Sequence, residues 1–175
     1  MRVALISDTH LPKFGRRLPR ALVDGFAAAR IERIVHAGDW TEPIAVDLLE
    51  AIASVDGVAG NNDGPALHAR FGTQLVLEAD GARLGVTHGH LGSGATTRDR
   101  AVNAFADEPG LHAIVFGHSH IPLIERLDGD GGTWLVNPGS PTDKRHQPRF
   151  TWALLTIERR AISSVELRSY DDRAP

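Results

Sequence analysis

Side chains that can bind metal ions recur directly after short runs of β-branched and aliphatic residues. Asp8 and His10 follow residues 3–6, and Asp39 follows residues 33–35. The series continues along the chain with Asn61 after 55–58, His88 after 84–87, and His118 with His120 after 114–116. Carboxylates and neutral imidazoles suit first-row transition metals. The pattern therefore predicts metal chemistry.

Each of these residues has an ordinary structural interpretation when it is considered alone. Asp39 follows a glycine and precedes Pro43, which is typical of a turn or a helix N-cap. Asn61 lies in a Gly- and Asn-rich stretch typical of turns, and His88 could be a core or surface histidine. A purely structural explanation needs five coincidences at successive strand ends, so the ordered series favours one shared site.

Apolar spacing predicts the elements that would position these side chains. Helices are predicted at 19–30, 44–53 and 96–106, and strands at 3–6, 33–35, 55–58, 84–87, 114–116 and 134–136. Strand and helix alternate through the first two thirds of the chain, which favours a mainly parallel sheet with crossover helices. Ligand sites gather at the carboxyl ends of such strands, so the polar series should meet at one edge.

The final third of the chain has a different pattern, which favours antiparallel strands. The strand-like segments are separated by turn-rich stretches and lie at residues 121–127, 134–136, 150–158 and 162–169. Residues 128–132 have the composition of a hairpin loop, and residues 159–161 that of a tight turn.

Composition limits the classes of protein that need to be considered. The chain has 175 residues, of which 42% are hydrophobic and 23% charged, so we expect a single globular domain spanning 1–175. The formal charge of −3 disfavours a nucleic-acid polymer as partner. No apolar run approaches the ~20 residues of a membrane span. A strand begins at residue 3 and leaves no room for a signal peptide, so a cytoplasmic location is expected.

The absence of cysteine restricts the ligands that a metal could have. Disulfides and thiolate-bound zinc are both excluded, so nitrogen and oxygen ligands must hold any metal. The relevant motifs are Asp8-x-His10, Gly38-Asp39, Gly60-Asn61-x-Asp63, His88 and Gly117-His118-x-His120. In type and order they resemble the motifs of the calcineurin-like metallophosphoesterases, over nearly the whole chain. The short length and the segment at 137–140 are most similar to the small YfcE-type phosphodiesterases.

This resemblance implies a fold, a metal centre and a reaction. The fold would be a four-layer α-β-β-α sandwich of two mixed sheets flanked by helices. One metal ion would be held by Asp8, His10, Asp39 and His120, and the second by Asp39, Asn61, His88 and His118. Manganese is favoured, with iron, nickel, cobalt or zinc as alternatives. A hydroxide held between the two ions would attack a small phosphate ester in line with the leaving group.

The chain departs from the family pattern at Asn62. Many phosphatases that it resembles carry a histidine there, which assists the leaving group or binds the phosphate. An asparagine can donate a hydrogen bond to a phosphate oxygen but cannot transfer a proton. The departure favours a diesterase over a monoesterase, with phenolate-like leaving groups preferred. We interpret Asp63 as orienting Asn61 or Asn62, with a helix N-cap as the alternative.

Other candidate residues have weaker support. His36 and His90 lie beside predicted ligands, and the favoured interpretation of each is a packed or exposed histidine. Arg98, Arg100, Lys144 and Arg145 could reach a phosphate, although such residues are usually solvated. Two further functions are considered, a monoesterase or nucleotidase of the same fold and a non-catalytic protein-binding scaffold. The complete ligand set disfavours the scaffold.

Overall fold

The computed structural model describes residues 1–127, 129 and 131–175, and these form two five-stranded sheets and four helices. The first sheet has the order β10-β9-β1-β2-β3 and the second β4-β5-β6-β8-β7. The helices are α1 (Arg20–Ala29), α2 (Ile44–Glu50), α3 (Pro65–Phe71) and α4 (Thr97–Asn103). The strands are β1 (Arg2–Ile6), β2 (Arg33–His36), β3 (Ser54–Gly57), β4 (Gln74–Ala79), β5 (Ala82–Thr87), β6 (Ala113–Val115), β7 (Leu123–Arg126), β8 (Trp134–Asn137), β9 (Phe150–Glu158) and β10 (Ala161–Tyr170).

The alternation of side chains along β1 explains the layering. Val3 and Leu5 lie in the core between the two sheets, where they meet residues of the second sheet such as Val86. Ala4 and Ile6 face the opposite way, in a second core beneath the first three helices. A third core covers the outer face of the second sheet with α4. The expected four-layer fold of two mixed sheets flanked by helices is therefore confirmed.

Strand direction follows the sequence prediction only in part. β1, β2 and β3 are parallel, and so are β5, β6 and β8. The expectation that all predicted ligands follow strands of one sheet is wrong, because the parallel strands belong to two sheets. The final third was expected to be antiparallel, but β8 pairs with β6 in parallel and with β7 in antiparallel. The hairpin loop predicted at 128–132 includes Asp128 and Asp130, which lie outside the described residues.

Helix α3 and strand β4 were not predicted, although each is accompanied by a local sequence signal. Helix α3 begins with Pro65 at its first turn and buries only Leu67, so its apolar pattern is weak. Strand β4 pairs with β5 through a two-residue turn, in which Asp80 and Gly81 have φ of 47° and 83°. An Asp-Gly pair between strands is a strong hairpin signal. Among the described residues, no helix is long and apolar enough to span a membrane.

Candidate metal centre

The loops that follow four parallel strands bring most of the predicted ligands together. Asp8 and His10 follow β1, Asp39 follows β2, His88 follows β5 and His120 follows β6. All five are buried, with exposed fractions of 6% or less. Burial of carboxylates without compensating charge is costly. The clustering therefore indicates a site that is built to hold positive charge.

The backbone at this site is held in a conformation that side chains rarely adopt. Five of the seven predicted ligands have φ between 46° and 67°: Asp8, His10, Asp39, His118 and His120. A residue other than glycine in the left-handed region is uncommon and costs about 1–3 kcal/mol when strained. Such strain persists only where the surrounding structure enforces it. Its concentration here is typical of a functional site.

One group of potential ligand atoms consists of Asp8, His10 and His120. His120 Nε2 lies 3.2 Å from Asp8 Oδ1 and 3.3 Å from His10 Nε2, and the two imidazole rings stack at 5.2 Å. Asp8 Oδ1 is buried, yet it makes no hydrogen bond of acceptable angle among the described residues. An unsatisfied buried acceptor between two imidazole nitrogens suits a bound cation.

A second group consists of Asp8, Asp39 and His88, so Asp8 is common to both. His88 Nε2 lies 3.3 Å from Asp39 Oδ2 and is also buried without a hydrogen-bond partner in the part of the chain described. Asp39 Oδ2 lies 3.7 Å from His10 Nε2. One carboxylate oxygen of Asp39 therefore faces a histidine from each group.

Hydrogen bonds on the outer side of two imidazoles fix which nitrogen faces the site. His88 Nδ1 donates to the Ala37 carbonyl at 2.7 Å, and His120 Nδ1 donates to the Asp143 carbonyl at 2.5 Å. In the neutral imidazole, a proton on Nδ1 leaves the Nε2 lone pair free. This outer-side hydrogen bond is the usual arrangement of metal-binding histidines.

The charges of the two groups perturb one another strongly. Burial raises the pKa of Asp8 and of Asp39, but the adjacent imidazoles of His120 and His88 respectively, together with the hydrogen bonds from Asn62 to Asp39, outweigh it, and both carboxyls end below their ordinary pKa. Burial lowers the pKa of His88 and His120, yet Asp39 and Asp8 raise both above the ordinary value. Burial dominates at His10 and lowers its pKa.

Asp63 acts on the backbone of the site. Its carboxylate accepts hydrogen bonds from the amide groups of Gly60 at 2.7 Å, Thr41 at 2.7 Å and Asp39 at 3.0 Å. The interpretation of Asp63 as a helix N-cap is wrong, because α3 is capped by Gly64 without a side-chain hydrogen bond. The carboxylate ties the loop after β2 to the loop after β3, and Asn61 and Asn62 are not its partners.

The two asparagines of the third loop differ in their contacts. Asn62 donates to both carboxylate oxygens of Asp39. Its backbone amide binds Oδ1 at 2.9 Å, and its side-chain Nδ2 binds Oδ2 at 2.6 Å. Asn61 is exposed, and its side chain has no hydrogen bond among the described residues.

The interpretation of Asp39 as a helix N-cap is wrong, because the N-cap of α2 is Pro43.

His118 and His90 lie at the rim, on the His88 side. The His118 backbone amide donates to Asp8 Oδ2 at 3.0 Å, and its ring lies 5.1 Å from the His88 ring. His90 lies 5.2 Å from His88, and burial lowers its pKa to about 4. Both rings are half-buried, and neither belongs to the two groups of converging ligand atoms.

His36 is a structural histidine, as the sequence favoured. Its Nδ1 accepts from the Gly38 amide, so Nε2 carries the proton and donates to Thr9 Oγ1 at 3.1 Å. The ring stacks on Trp40 with centroids 3.6 Å apart. Burial lowers the pKa of His36 to about 3, so the imidazole stays neutral.

The segment after β8 contacts the backbone of the site loops. Ser140 Oγ donates to the Asp8 carbonyl at 2.7 Å, and Thr142 Oγ1 donates to the Thr9 carbonyl at 2.5 Å. Asn137 Nδ2 donates to the Gly117 carbonyl at 3.0 Å. Thr142 could not be identified from the sequence, since nothing near it in the chain indicates which carbonyl it contacts.

The basic residues considered as phosphate contacts mostly have structural partners. Arg98 forms an ion pair with Glu125 at 2.7 Å. Arg100 donates to the carbonyls of Gly89 and Gly94 and so orders the loop after β5. Lys144 Nζ binds carbonyls of its own turn, whereas Arg145 uses only its backbone amide, which donates to Asp143.

Comparison with known proteins identifies the family. The calcineurin-like phosphoesterase superfamily domain matches residues 1–160. The chain belongs to this family. Its members use divalent metal ions, in agreement with the nitrogen and oxygen donors gathered here. Phosphoesterase activity follows from this membership.

Two probable metallophosphoesterases are similar to this chain over most of its length. A probable metallophosphoesterase of Methanothermobacter thermautotrophicus is 34% identical over 149 residues, covering 83% of this chain and 80% of that protein. The probable metallophosphoesterase YsnB of Bacillus subtilis is 32% identical over 173 residues, covering 98% and 91%.

Solved structures share the fold at lower identity. Zinc-bound Vps29 of Entamoeba histolytica has a TM-score of 0.75 at 22% identity, covering 98% of this chain and 99% of that chain. An archaeal phosphodiesterase has a TM-score of 0.72 at 22% identity, covering 97% and 100%. At these identities the likeness concerns the fold alone.

Proposed function

We propose that this metallophosphoesterase holds two metal ions and hydrolyses phosphodiesters. The observation that carries the proposal is the position of Asp39 Oδ2, 3.7 Å from His10 Nε2 and 3.3 Å from His88 Nε2. A carboxylate between two groups of imidazole ligands suits the bridge of a binuclear centre, in which the ions are about 3.5–4 Å apart.

Each ion has its own set of ligands in this proposal. Asp8, His10, Asp39 and His120 hold one ion, and Asp39, Asn61, His88 and His118 hold the other. The unsatisfied Asp8 Oδ1 and His88 Nε2, which lie in different sets, support this division. Asn61 and His118 complete the second set by turning toward His88, beside which the His118 ring already lies.

The ions would supply Lewis acidity, which makes a nucleophile available from water near pH 7 and offsets charge on the phosphoryl oxygens. The residues of the chain do the remaining work. Ala37 and Asp143 hold the imidazoles of His88 and His120 with Nε2 toward the site. Asn62 Nδ2 lies 2.6 Å from Asp39 Oδ2. In this position the Asn62 side chain can also donate a hydrogen bond to a phosphate oxygen.

The preference for diesters rests on the chemistry of Asn62. An amide has no titratable proton, so this position cannot protonate a departing alkoxide. Esters with a stable leaving group, such as a phenolate, do not require that proton. The site should therefore favour aryl phosphodiesters over alkyl monoesters. Manganese is the preferred ion in this proposal, because oxygen and imidazole donors are combined in each set.

Metal analysis combined with a paired assay tests the proposal. Purified protein loaded with Mn²⁺ should contain two ions per chain and hydrolyse bis(p-nitrophenyl) phosphate faster than an alkyl monoester such as glycerol 3-phosphate. Asp39→Asn should abolish hydrolysis of both, with the folded state checked by circular dichroism. A fully active Asp39→Asn protein would contradict the bridging role. A metal-loaded protein that cleaves neither ester would favour a binding scaffold.

A further inference from the structure

Two loops beside His10 and His120 carry positive charge without acidic residues. Residues 12–18, after β1, include Lys13, Arg16 and Arg17. Residues 144–149, after β8, include Lys144, Arg145 and Arg149. The whole chain has a formal charge of −3, so this concentration of cations is a local feature.

The two loops converge on the same side of the metal centre. Arg173 joins them, because its Nη1 donates to the Thr142 carbonyl at 2.9 Å while its guanidinium lies 5.2 Å from the Phe14 ring. Lys13 Nζ lies 5.2 Å from the same ring. Phe14 in turn meets the His10 ring edge-on at 6.1 Å. The cations are therefore held one aromatic ring away from a predicted metal ligand.

Several arginines elsewhere on the surface form ion pairs with a carboxylate, whereas most cations of these two loops do not. Arg33 pairs with Asp56 at 2.6 Å, and Arg149, in the second loop itself, pairs with Asp171 at 2.9 Å. Within the described ranges, five cations of the two loops and of the C-terminal segment have no carboxylate partner: Lys13, Arg16, Arg17, Arg145 and Arg173. We call these five the basic face.

The nearby acid does not neutralise the basic face. Asp143 Oδ2 lies 3.7 Å from His120 Nδ1, and Asp143 Oδ1 accepts from the Arg145 backbone amide. The side chains of Arg145 and Lys13 donate no hydrogen bond among the described residues. Unpaired guanidinium and ammonium groups at the edge of a phosphoesterase site are suited to a second anion.

We propose that the basic face binds an additional phosphate group carried by the substrate, so that the preferred substrate is a phosphodiester with a second, uncleaved phosphate. This inference rests on the proposed phosphodiesterase function, whose substrate class it narrows. The extra phosphate lies on the His10 and His120 side. A small molecule fits better than a nucleic-acid polymer, because the chain as a whole carries a formal charge of −3.

A matched pair of chromogenic diesters tests the proposal. Thymidine 5′-(p-nitrophenyl phosphate) and its 3′-phosphorylated derivative share the nucleoside, the scissile bond and the leaving group, and differ in one phosphate. The wild-type protein loaded with Mn²⁺ should show kcat/KM roughly tenfold higher for the 3′-phosphorylated ester at low salt. This ratio should fall toward one as salt is raised, because the charges are exposed.

Two double variants distinguish an effect of the basic face from a general effect of the protein's net charge. Lys13→Ala combined with Arg145→Ala should bring the low-salt ratio close to one. The control is Arg30→Ala combined with Arg159→Ala, which removes the same charge at the opposite end of β1 and β9 and should keep the wild-type ratio. Thermal unfolding confirms that both double variants are folded.

Binding of the product separates this inference from the proposed function. Thymidine 3′,5′-bisphosphate should bind the wild-type protein more tightly than thymidine 5′-monophosphate in calorimetry, and the Lys13→Ala, Arg145→Ala protein should lose the difference. That result without any hydrolysis would refute the phosphodiesterase and support the basic face. Equal rates for the two esters at every salt concentration, with equal binding of the two products, would overturn the basic face and leave the phosphodiesterase intact.

Discussion

The carboxylate of Asp63 holds the backbone of Asp39, accepting a hydrogen bond of 3.0 Å from its amide. The same carboxylate accepts from the amides of Gly60 and Thr41, each at 2.7 Å. Three N–H donors require an acceptor-only group, whereas an asparagine would turn its own NH2 toward one of them. Asp63 therefore positions the Asp39 loop against the loop after β3.

Asp63→Asn should loosen that loop and weaken metal binding. Supporting residues of this kind typically contribute 10–100-fold to metal affinity, and a buried donor left without a partner costs about 1–3 kcal/mol. We expect a Mn²⁺ affinity lower by about this factor in calorimetric titration, and a reduced free energy of unfolding in urea. Asp107→Asn, at an exposed position without ion pairs, is the matched control. Unchanged Mn²⁺ affinity in Asp63→Asn would contradict the positioning role.

Substitution by alanine should have a large effect on stability at one glycine of the loop after β3 and a small effect at another. A Cβ at Gly60 would overlap Asp39 Oδ1 and would approach the Asp39 amide nitrogen to 2.5 Å, whereas a Cβ at Gly64 would meet nothing within 4 Å. Gly60→Ala should destabilise the protein by about 1–3 kcal/mol or more and reduce its Mn²⁺ content, since the chain must displace a ligand. Gly64→Ala should stay within about 1 kcal/mol of wild type. Equal effects in denaturant unfolding would show that the close approach to Asp39 is not required.

The two groups of ligands should be separable by metal counting. His88→Gln removes a ligand of one group and His120→Gln a ligand of the other. Each variant should retain about one ion per chain after gel filtration in metal-free buffer, measured by mass spectrometry. His112→Gln, at an exposed position remote from the site, should retain two. Complete loss of both ions from either single variant would argue against two separately held metals.

Asn62→His should shift the reaction toward monoesters. A histidine at this place can donate a proton to a departing alkoxide, and general acid catalysis is worth about 10²–10⁴-fold. We expect an increase in the rate of alkyl monoester hydrolysis, measured by phosphate release, relative to bis(p-nitrophenyl) phosphate hydrolysis. Asn62→Ala, which removes the 2.6 Å hydrogen bond to Asp39 without adding an acid, should not change that ratio. A constant ratio in Asn62→His would leave the diester preference without its proposed cause.

The elements that carry the site could be read from the sequence because their signals are local. Each site loop follows a short buried strand, and residues 3–6 and 33–35 predicted β1 and β2 within one residue. Strand β4 was missed because its alternation is half-buried at the sheet edge, and α3 because a single residue is buried along it. Neither pattern resembles a fully buried core element.

The supporting contacts could not be read from the sequence because they join distant residues. Ser140 reaches the Asp8 carbonyl across 132 positions, and the acceptor is a backbone group that every residue possesses. The left-handed backbone at Asp8 and Asp39 is likewise set by tertiary packing, since neither residue type requires a positive φ. The sequence therefore indicates which residues form the site, whereas tertiary contacts determine their backbone conformation and the orientation of their side chains.

His36 should make the protein less stable in acid. Burial lowers its pKa to about 3, while an unfolded histidine titrates near 6.5. Above pH 6.5 the imidazole is neutral in both states, and the full stability is present. Between about 6.5 and 3 the unfolded state binds a proton that the folded state does not, so the free energy of unfolding falls by about 1.4 kcal/mol per pH unit from this group.

His36→Gln isolates this contribution from that of the carboxylates. The variant loses the stack on Trp40 and should be less stable at pH 7, yet its stability should decline less steeply between pH 6.5 and 4. Urea unfolding of both proteins in EDTA, which removes any linkage through metal binding, gives the difference at each pH. The two curves should converge as the pH falls, because only the wild type has the neutral buried imidazole. Parallel curves would mean that His36 takes up a proton inside the fold, through a rearrangement of its contacts with Thr9 and Gly38.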